Sequence, residues 1–241
     1  MRRTSERAAP AETARSLAHI ELFESLPAEE LVQLERRCTW QRWNAGEQII
    51  DRETLSNDVY FIVRGRVRVI DYSHSGHREV VFDELSAGAV VGELAAIDGE
   101  PRSVNVMAVT ETLTASLGAE AFIAIIIEHP KVALAMMRRL SEMIRQSTAR
   151  IMDLSTLGAH HRIYAELLRI ARTGGAARPN QAIIQPMPVH ADIAARVSTT
   201  RETVARVLSE LAHGNVVKRE GDALIIRDLE QLTQMVNKFR D

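Results

Sequence analysis

The stretch Val91–Val104, VGELAAIDGEPRSV, decides how this chain is read. It is a largely apolar run broken by Gly92 and Gly99, with Glu93 after the first glycine and Arg102 directly after Pro101. Opposite charges nine residues apart, in a segment that otherwise reads as partly buried, ask for a partner. By spacing alone, a structural Glu–Arg ion pair in a loop is sufficient.

On both sides of it lie short β-type runs: Gln48–Ile50, Val59–Val63, Val67–Asp71, Glu79–Phe82, Ser103–Val109 and Leu113–Leu117. Turn residues separate them at Ser56-Asn57, Gly65, Ser73–Gly76, Gly88 and Gly99. Short, regularly punctuated strands predict an antiparallel sandwich or barrel. Val67 and Val69 alternate with Arg66 and Arg68, as in a strand with one wet face. A short helical lead-in, residues 18–38, precedes the strands.

From Pro130 the period changes. Met137, Leu140, Ile144, Ser147, Ile151 and Leu154 recur at alternating spacings of 3 and 4, an a/d seam, with Arg138, Arg139, Glu142, Arg145 and Arg150 off it. The helix is expected to end near Gly158. A regular seam with outward charge points to a coiled coil between two copies of the chain; a helix lying on its own domain is the alternative. Ser147 is the polar position in the seam, where such a residue can also act as a register device.

The last third is helical again through His161–Ala171, followed by a Gly174-Gly175 loop. Ala191–Val197 and Arg201–Leu211 form two short amphipathic helices separated by Ser198-Thr199-Thr200. Val204, Val207, Leu208 and Leu211 share one face of the second, and Arg201, Glu202 and Arg206 lie opposite. Arg can be bidentate to guanine, and Glu can accept from the cytosine amino group, so this face suits major-groove reading. Thr199-x-x-Glu202 also fits a capping box, in which Glu202 only caps its helix. Val216–Ile226 reads as a hairpin turning at Gly221-Asp222, a wing behind the helix–turn–helix.

Composition sets the bounds. The chain has 241 residues, 46% hydrophobic and 26% charged, enough for one or two globular domains. No apolar run approaches about 18 residues, so no membrane span is expected. The single Cys38 excludes an internal disulfide, a thiolate zinc site and a four-cysteine cluster, and a cytoplasmic setting follows. Residues 160–241 carry 12 Lys/Arg against 9 Asp/Glu within a chain of net charge −2, which is compatible with a polyanionic partner. His74-x-x-His77 is the only support for a β-roll metalloenzyme of cupin type, and no convincing set of further ligands accompanies it, so no metal and no enzymatic activity are expected.

The order of lead-in helix, β-roll, seam helix and winged helix-turn-helix resembles the catabolite activator (cyclic AMP receptor protein) and fumarate-nitrate regulator superfamily of bacterial transcription factors, over about residues 18–228. GELAAIDGEPRSV resembles the phosphate-binding cassette of cyclic-nucleotide-binding domains, and TTRETVARVLSEL, Thr199–Leu211, resembles the family's recognition helix. The resemblance implies an α+β fold: an arm at 1–17, an antiparallel β-roll (the cyclic-nucleotide-binding jelly roll) at 18–128, a dimerisation helix and hinge at 129–158, and a winged helix-turn-helix at 159–241. It implies a homodimer on double-stranded DNA at a palindromic TGTGA-like operator, with RNA polymerase as a further partner.

The same resemblance gives the opening stretch its partner, cyclic AMP or cyclic GMP, the family favouring cyclic AMP. Gly92, Glu93 and Leu94 would open a short helix whose N–H groups face phosphate oxygens. Arg102 would pair with those oxygens, and ionised Glu93 would accept from the ribose 2′-OH. Ser103 is a further base or phosphate contact, and Ser147 and Thr148 are the implied base contacts on the seam helix. Thr200, Arg201, Glu202, Thr203 and Arg206 are the implied DNA contacts. Departures from the family pattern are Glu53 at a usual turn glycine, Val90-Val91 before the Gly-Glu pair, Gly158 at a usual helix-capping Asp, and Ser198 near a frequent glycine. A regulator of the same fold that needs no nucleotide, with Glu93 and Arg102 as a standing ion pair, stays open.

Overall fold

A computed structural model describes residues 15–72, 79–174 and 179–238. The expected arm before residue 15, the turn at 73–76, His74, His77 and Gly175 lie outside the described residues. The chain divides into two units. The first takes in residues up to Val69 and Glu84–Met137; the second takes in Ile70–Asp83 and Arg138 onward.

The first unit is built on strands. A 3₁₀ turn, Glu21–Phe23, leads into α1 (Ala28–Arg37). Leu17 is fully buried, and its N–H donates to the Glu35 carboxylate at 2.7 Å. The strands are β1 (Thr39–Trp43), β2 (Gln48–Ile50), β3 (Val59–Arg64), β4 (Arg66–Tyr72), β5 (Glu79–Ser86), β6 (Val90–Val91), β7 (Asn105–Ala108) and β8 (Thr112–Leu117). They form two four-stranded sheets, β1-β8-β3-β6 and β2-β7-β4-β5. The recorded strand pairs of the first sheet are antiparallel. The two-sheet sandwich expected from the punctuated runs, and the β-roll that the resemblance implies, are therefore present.

Burial explains the strand types. Central β3 is buried at Val59, Phe61 and Ile62, and its neighbour β8 at Leu113, Ala115 and Leu117. Buried Thr114 of β8 receives the Trp43 indole N–H at 2.9 Å, so its hydroxyl is not left unpaired. Phe61 lies 4.9 Å from Phe23 and 6.4 Å from Phe122 between ring centroids, which ties α3 (Ala119–Glu128) and the lead-in to the sheet. On β4, Val67 is buried while Arg66 and Arg68 reach Glu84 of β5 at 3.1 and 3.5 Å; Arg68 and Glu84 are themselves mostly buried, so the face the alternation predicts as wet is half-buried and paired.

Helix α4 (Pro130–Thr156) has 27 residues, so it is about 40 Å long. Its seam residues Met137, Ile144, Ile151 and Leu154 are 56, 66, 62 and 41% exposed. The second unit continues with α5 (Ala159–Gly174), β9 (Ala182–Ile184), α6 (His190–Arg196), α7 (Arg201–His213), β10 (Val217–Glu220), β11 (Ala223–Ile226) and α8 (Leu229–Asn237). The expected wing hairpin is β10–β11, and β9 pairs with it to make a three-stranded antiparallel sheet. Ile163, Leu167, Ile193, Val204, Val207, Leu211, Ile226 and Leu232 form the core of this winged helix-turn-helix. Among the described residues no helix is long and apolar enough to cross a membrane, and no group of three or more His, Cys, Asp and Glu is placed to hold a metal ion.

Candidate functional site

The first cluster is built by the loop between β6 and α2 (Glu93–Asp98). Gly92 caps α2 with φ +84°, a left-handed conformation that glycine adopts without strain. A Cβ there would also lie 2.6 Å from Arg102 Nη1 and 2.9 Å from the Asp58 carbonyl oxygen, so the position has no room for a side chain. Glu93, the first residue of α2, is 3% exposed, and a negative charge there is favoured by the helix dipole. Leu94 is 37% exposed, and Ser103 is exposed.

Arg102 is 4% exposed. Nη1 donates to the Gly92 carbonyl at 2.9 Å; Nη2 donates to the Asp58 carbonyl at 2.7 Å and to the Ser56 hydroxyl at 3.3 Å. Its buried Nε has no hydrogen-bond partner among the described residues. Burial lowers the Arg102 pKa, opposed by the charges of Tyr60, Asp58 and Glu93. The result is a desolvated cation, fixed by backbone oxygens, with Nε–H and one N–H of Nη1 still unspent. A small anion is the group that uses such donors, because a buried unsatisfied N–H otherwise costs free energy. The structure thus brings Gly92, Glu93 and Arg102 together, with Leu94 on α2 and Ser103 as their chain neighbours. Ser56, Asp58 and Tyr60 join them; sequence reading did not single them out for this role, because carbonyl partners 44 residues away leave no pattern.

Ser147 and Thr148 stand exposed on α4 in the second unit, where Thr148 Oγ1 donates to the Ile144 carbonyl at 2.9 Å. Glu53 sits in a turn with an ordinary φ, its N–H donating to Asp51 Oδ1 at 2.9 Å, so glycine is not required there.

The second cluster is the helix-turn-helix. Ser198 has φ +53°, which is why a glycine suits this turn. The turn also moves the helix cap. Thr199 N–H donates back to the Ala194 carbonyl at 3.0 Å, and Thr200, not the expected Thr199, caps α7 by accepting from Thr203 N–H at 3.2 Å. Glu202 then lies at the second helical position. Its carboxyl is held below the usual range by its own backbone N–H, by the Thr200 hydroxyl and by Arg201. Val204, Val207, Leu208 and Leu211 are buried, while Thr200, Arg201, Glu202 and Arg206 are exposed and Thr203 is half-buried. The division of faces is the one the sequence predicts.

Both clusters lie in segments that match known families. Residues 40–129 match the cyclic nucleotide-binding domain family, and residues 161–235 match the Crp-like helix-turn-helix domain family. The chain is 24% identical over 223 residues to the "CRP-like cAMP-activated global transcriptional regulator" of Mycobacterium tuberculosis, covering 90% of this chain and 97% of that protein. It is 29% identical over 220 residues to the "Cyclic AMP receptor protein" of Thermus thermophilus, covering 89% and 95%. A solved CooA mutant from Carboxydothermus hydrogenoformans shares the fold with a TM-score of 0.78 at 22% identity, over 89% of this chain and 95% of that one.

Proposed function

We propose a function from one premise: the chain belongs to the cyclic AMP receptor protein and fumarate-nitrate regulator superfamily. It is a transcription regulator that carries a cyclic nucleotide-binding domain and a helix-turn-helix domain. The finer reading is a homodimer whose hold on a palindromic TGTGA-like operator is set by a cyclic nucleotide, with cyclic AMP favoured over cyclic GMP.

The observation that carries it is Arg102, buried beside the left-handed Gly92 with Nε unpartnered among the described residues. The phosphate is the group this guanidinium meets, and Glu93 accepts from the 2′-OH. The names of the Mycobacterium and Thermus relatives support cyclic AMP. Ser147 and Thr148, exposed on α4, are the proposed base contacts. The exposed seam of α4 supports a second copy as its partner, since an apolar a/d stripe gains most by pairing with itself. In the dimer the two α7 helices lie about 34 Å apart, one turn of B-DNA. Arg201, Glu202 and Arg206 read bases there, with Thr200 and Thr203 beside them.

A second reading is favoured by one detail: each Nη of Arg102 already donates to a backbone carbonyl oxygen, so the clamp also stands as a structural element in a nucleotide-independent regulator. Fluorescence anisotropy on a TGTGA-palindrome duplex with cyclic AMP, with cyclic GMP and with neither separates the two. Tight binding only with a nucleotide is expected. Equal binding in all arms assigns the chain to the second reading, and no binding in any arm removes the operator.

A further inference from the structure

Outside both clusters, two arginines act on the same stretch of backbone in the second unit. The carbonyls at the end of a helix have no partners within it. At the end of α6, Arg150 Nη2 donates to the Arg196 carbonyl at 2.6 Å. Arg162 Nε donates to the Val197 carbonyl at 2.8 Å, and its Nη2 to the Ser198 carbonyl at 3.2 Å. Consecutive carbonyls, residues 196 to 198, thus end on guanidinium groups, and cations are favoured at that pole of a helix.

Each arginine also holds something else. Arg150, on α4, donates through Nη2 to the Val81 carbonyl at 2.6 Å and through Nη1 to the Phe82 carbonyl at 2.9 Å, both on β5. Its guanidinium carbon lies 5.9 Å from the Phe82 ring centroid. Arg162, on α5, donates through Nη1 to the Leu157 carbonyl at 2.8 Å, just past the end of α4. Around Arg150 stands a charged network. Glu166 takes both Nε and Nη2 of Arg169 at 2.8 Å and lies 3.6 Å from Arg196, while Arg169 lies 3.9 Å from Asp83.

We infer that Arg150 is a positioning residue for the effector response: its fork fastens β5 and the carbonyl end of α6 to the one helix that carries Ser147 and Thr148, with Arg162 securing the same turn from α5. The inference rests on the proposed cyclic-nucleotide reading. Ser147 and Thr148 lie within one turn of Arg150, about 3–5 Å along the axis. Displacement of α4 at those hydroxyls therefore moves the Arg150 fork. α6 follows it, and α7 follows α6, because Ile193, Ala194, Val204 and Val207 belong to one buried core that transmits rather than absorbs a shift. A planar fork spans three carbonyls; a lysine ammonium at the same place cannot match that geometry.

The test uses the full-length chain, cyclic AMP and the TGTGA duplex. In Arg150→Gln, the ratio of operator affinities with and without cyclic AMP should fall by at least about fivefold, while cyclic AMP affinity without DNA stays within about twofold of the parent. Arg150→Lys should lose the ratio as Gln does; a Lys variant that behaves like the parent overturns the fork, and an unchanged ratio in Arg150→Gln overturns the inference. Arg162→Lys provides a second route should Arg150→Gln fold poorly, with the same ratio expected to fall; an unchanged ratio there overturns the shared grip. Hydrogen exchange of the nucleotide-free protein reads the tether separately. Exchange in β5 and α6 should be faster in Arg150→Gln, and unchanged exchange overturns the tether. A parent protein indifferent to both cyclic nucleotides, by contrast, refutes the effector reading and leaves exchange to decide the tether.

Discussion

Gly92 and Arg102 are fitted to each other: Arg102 Nη1 donates to the Gly92 carbonyl at 2.9 Å, and a Cβ on Gly92 would stand 2.6 Å from that same nitrogen. The glycine is therefore required twice, once by its φ of +84° and once by the approach of the guanidinium.

Gly92→Ala is expected to cost about 1–3 kcal/mol of stability from the left-handed backbone alone, and more where Arg102 is displaced. Denaturant unfolding measures the first effect. Nucleotide calorimetry measures the second, and an alanine variant that binds like the parent removes Gly92 from the site.

Ser198→Gly should stabilise the chain by about 1 kcal/mol, because a serine held at φ +53° is relieved of its Cβ clash. The bond from Arg162 goes to the Ser198 backbone oxygen and survives the change. A shift of the thermal midpoint upward checks it.

Arg206→Ala should weaken operator binding by about 1–3 kcal/mol and relax one position of the half-site, with the fold intact because Arg206 is exposed. Titration against single-base variants of the duplex reads both effects; unchanged binding removes Arg206 from base reading.

Ile144→Glu should convert dimer to monomer in sedimentation without loss of helix content, since Ile144 is 66% exposed in the single chain. A variant that sediments like the parent contradicts the seam.

Cys38 should be a slow thiol. Burial, with Glu35 adding and Arg37 opposing, pushes its pKa up to about 11. The thiolate is the reactive form, and a raised pKa disfavours it at neutral pH, so reaction with a disulfide reagent at pH 8 should run about 100-fold slower than for free cysteine. The rate should then climb as pH rises toward 11. A rate equal to that of free cysteine contradicts the burial.

Much of this was legible in the residues. The punctuated runs located β2, β3, β4 and β8 because each is bounded by turn residues and carries buried aliphatics. β1 was not visible: Thr39–Trp43 is an edge strand with a mixed, mostly exposed pattern, and it exists because β8 pairs with it. β6 has two residues, too few for any period. α3 is hidden in a near-continuous apolar run, AFIAIII, whose spacing has no polar gaps to mark a helix. The faces of α7 followed from helical spacing, yet its cap fell one residue late because Ser198 takes a left-handed φ and Thr199 N–H turns back to the Ala194 carbonyl, a turn that a serine does not signal. The arginine grips at Arg102, Arg150 and Arg162 end on backbone carbonyls, which every residue carries and no sequence pattern distinguishes.

The most direct measurement is calorimetric titration of cyclic AMP into the parent chain and into Arg102→Gln. The parent should bind with one nucleotide per chain, and the variant should lose at least about 1.4 kcal/mol, a tenfold weakening, with its fold unchanged by circular dichroism. Equal affinity in the two proteins would mean that the buried guanidinium holds only its own loop, and the nucleotide clamp would have to be abandoned.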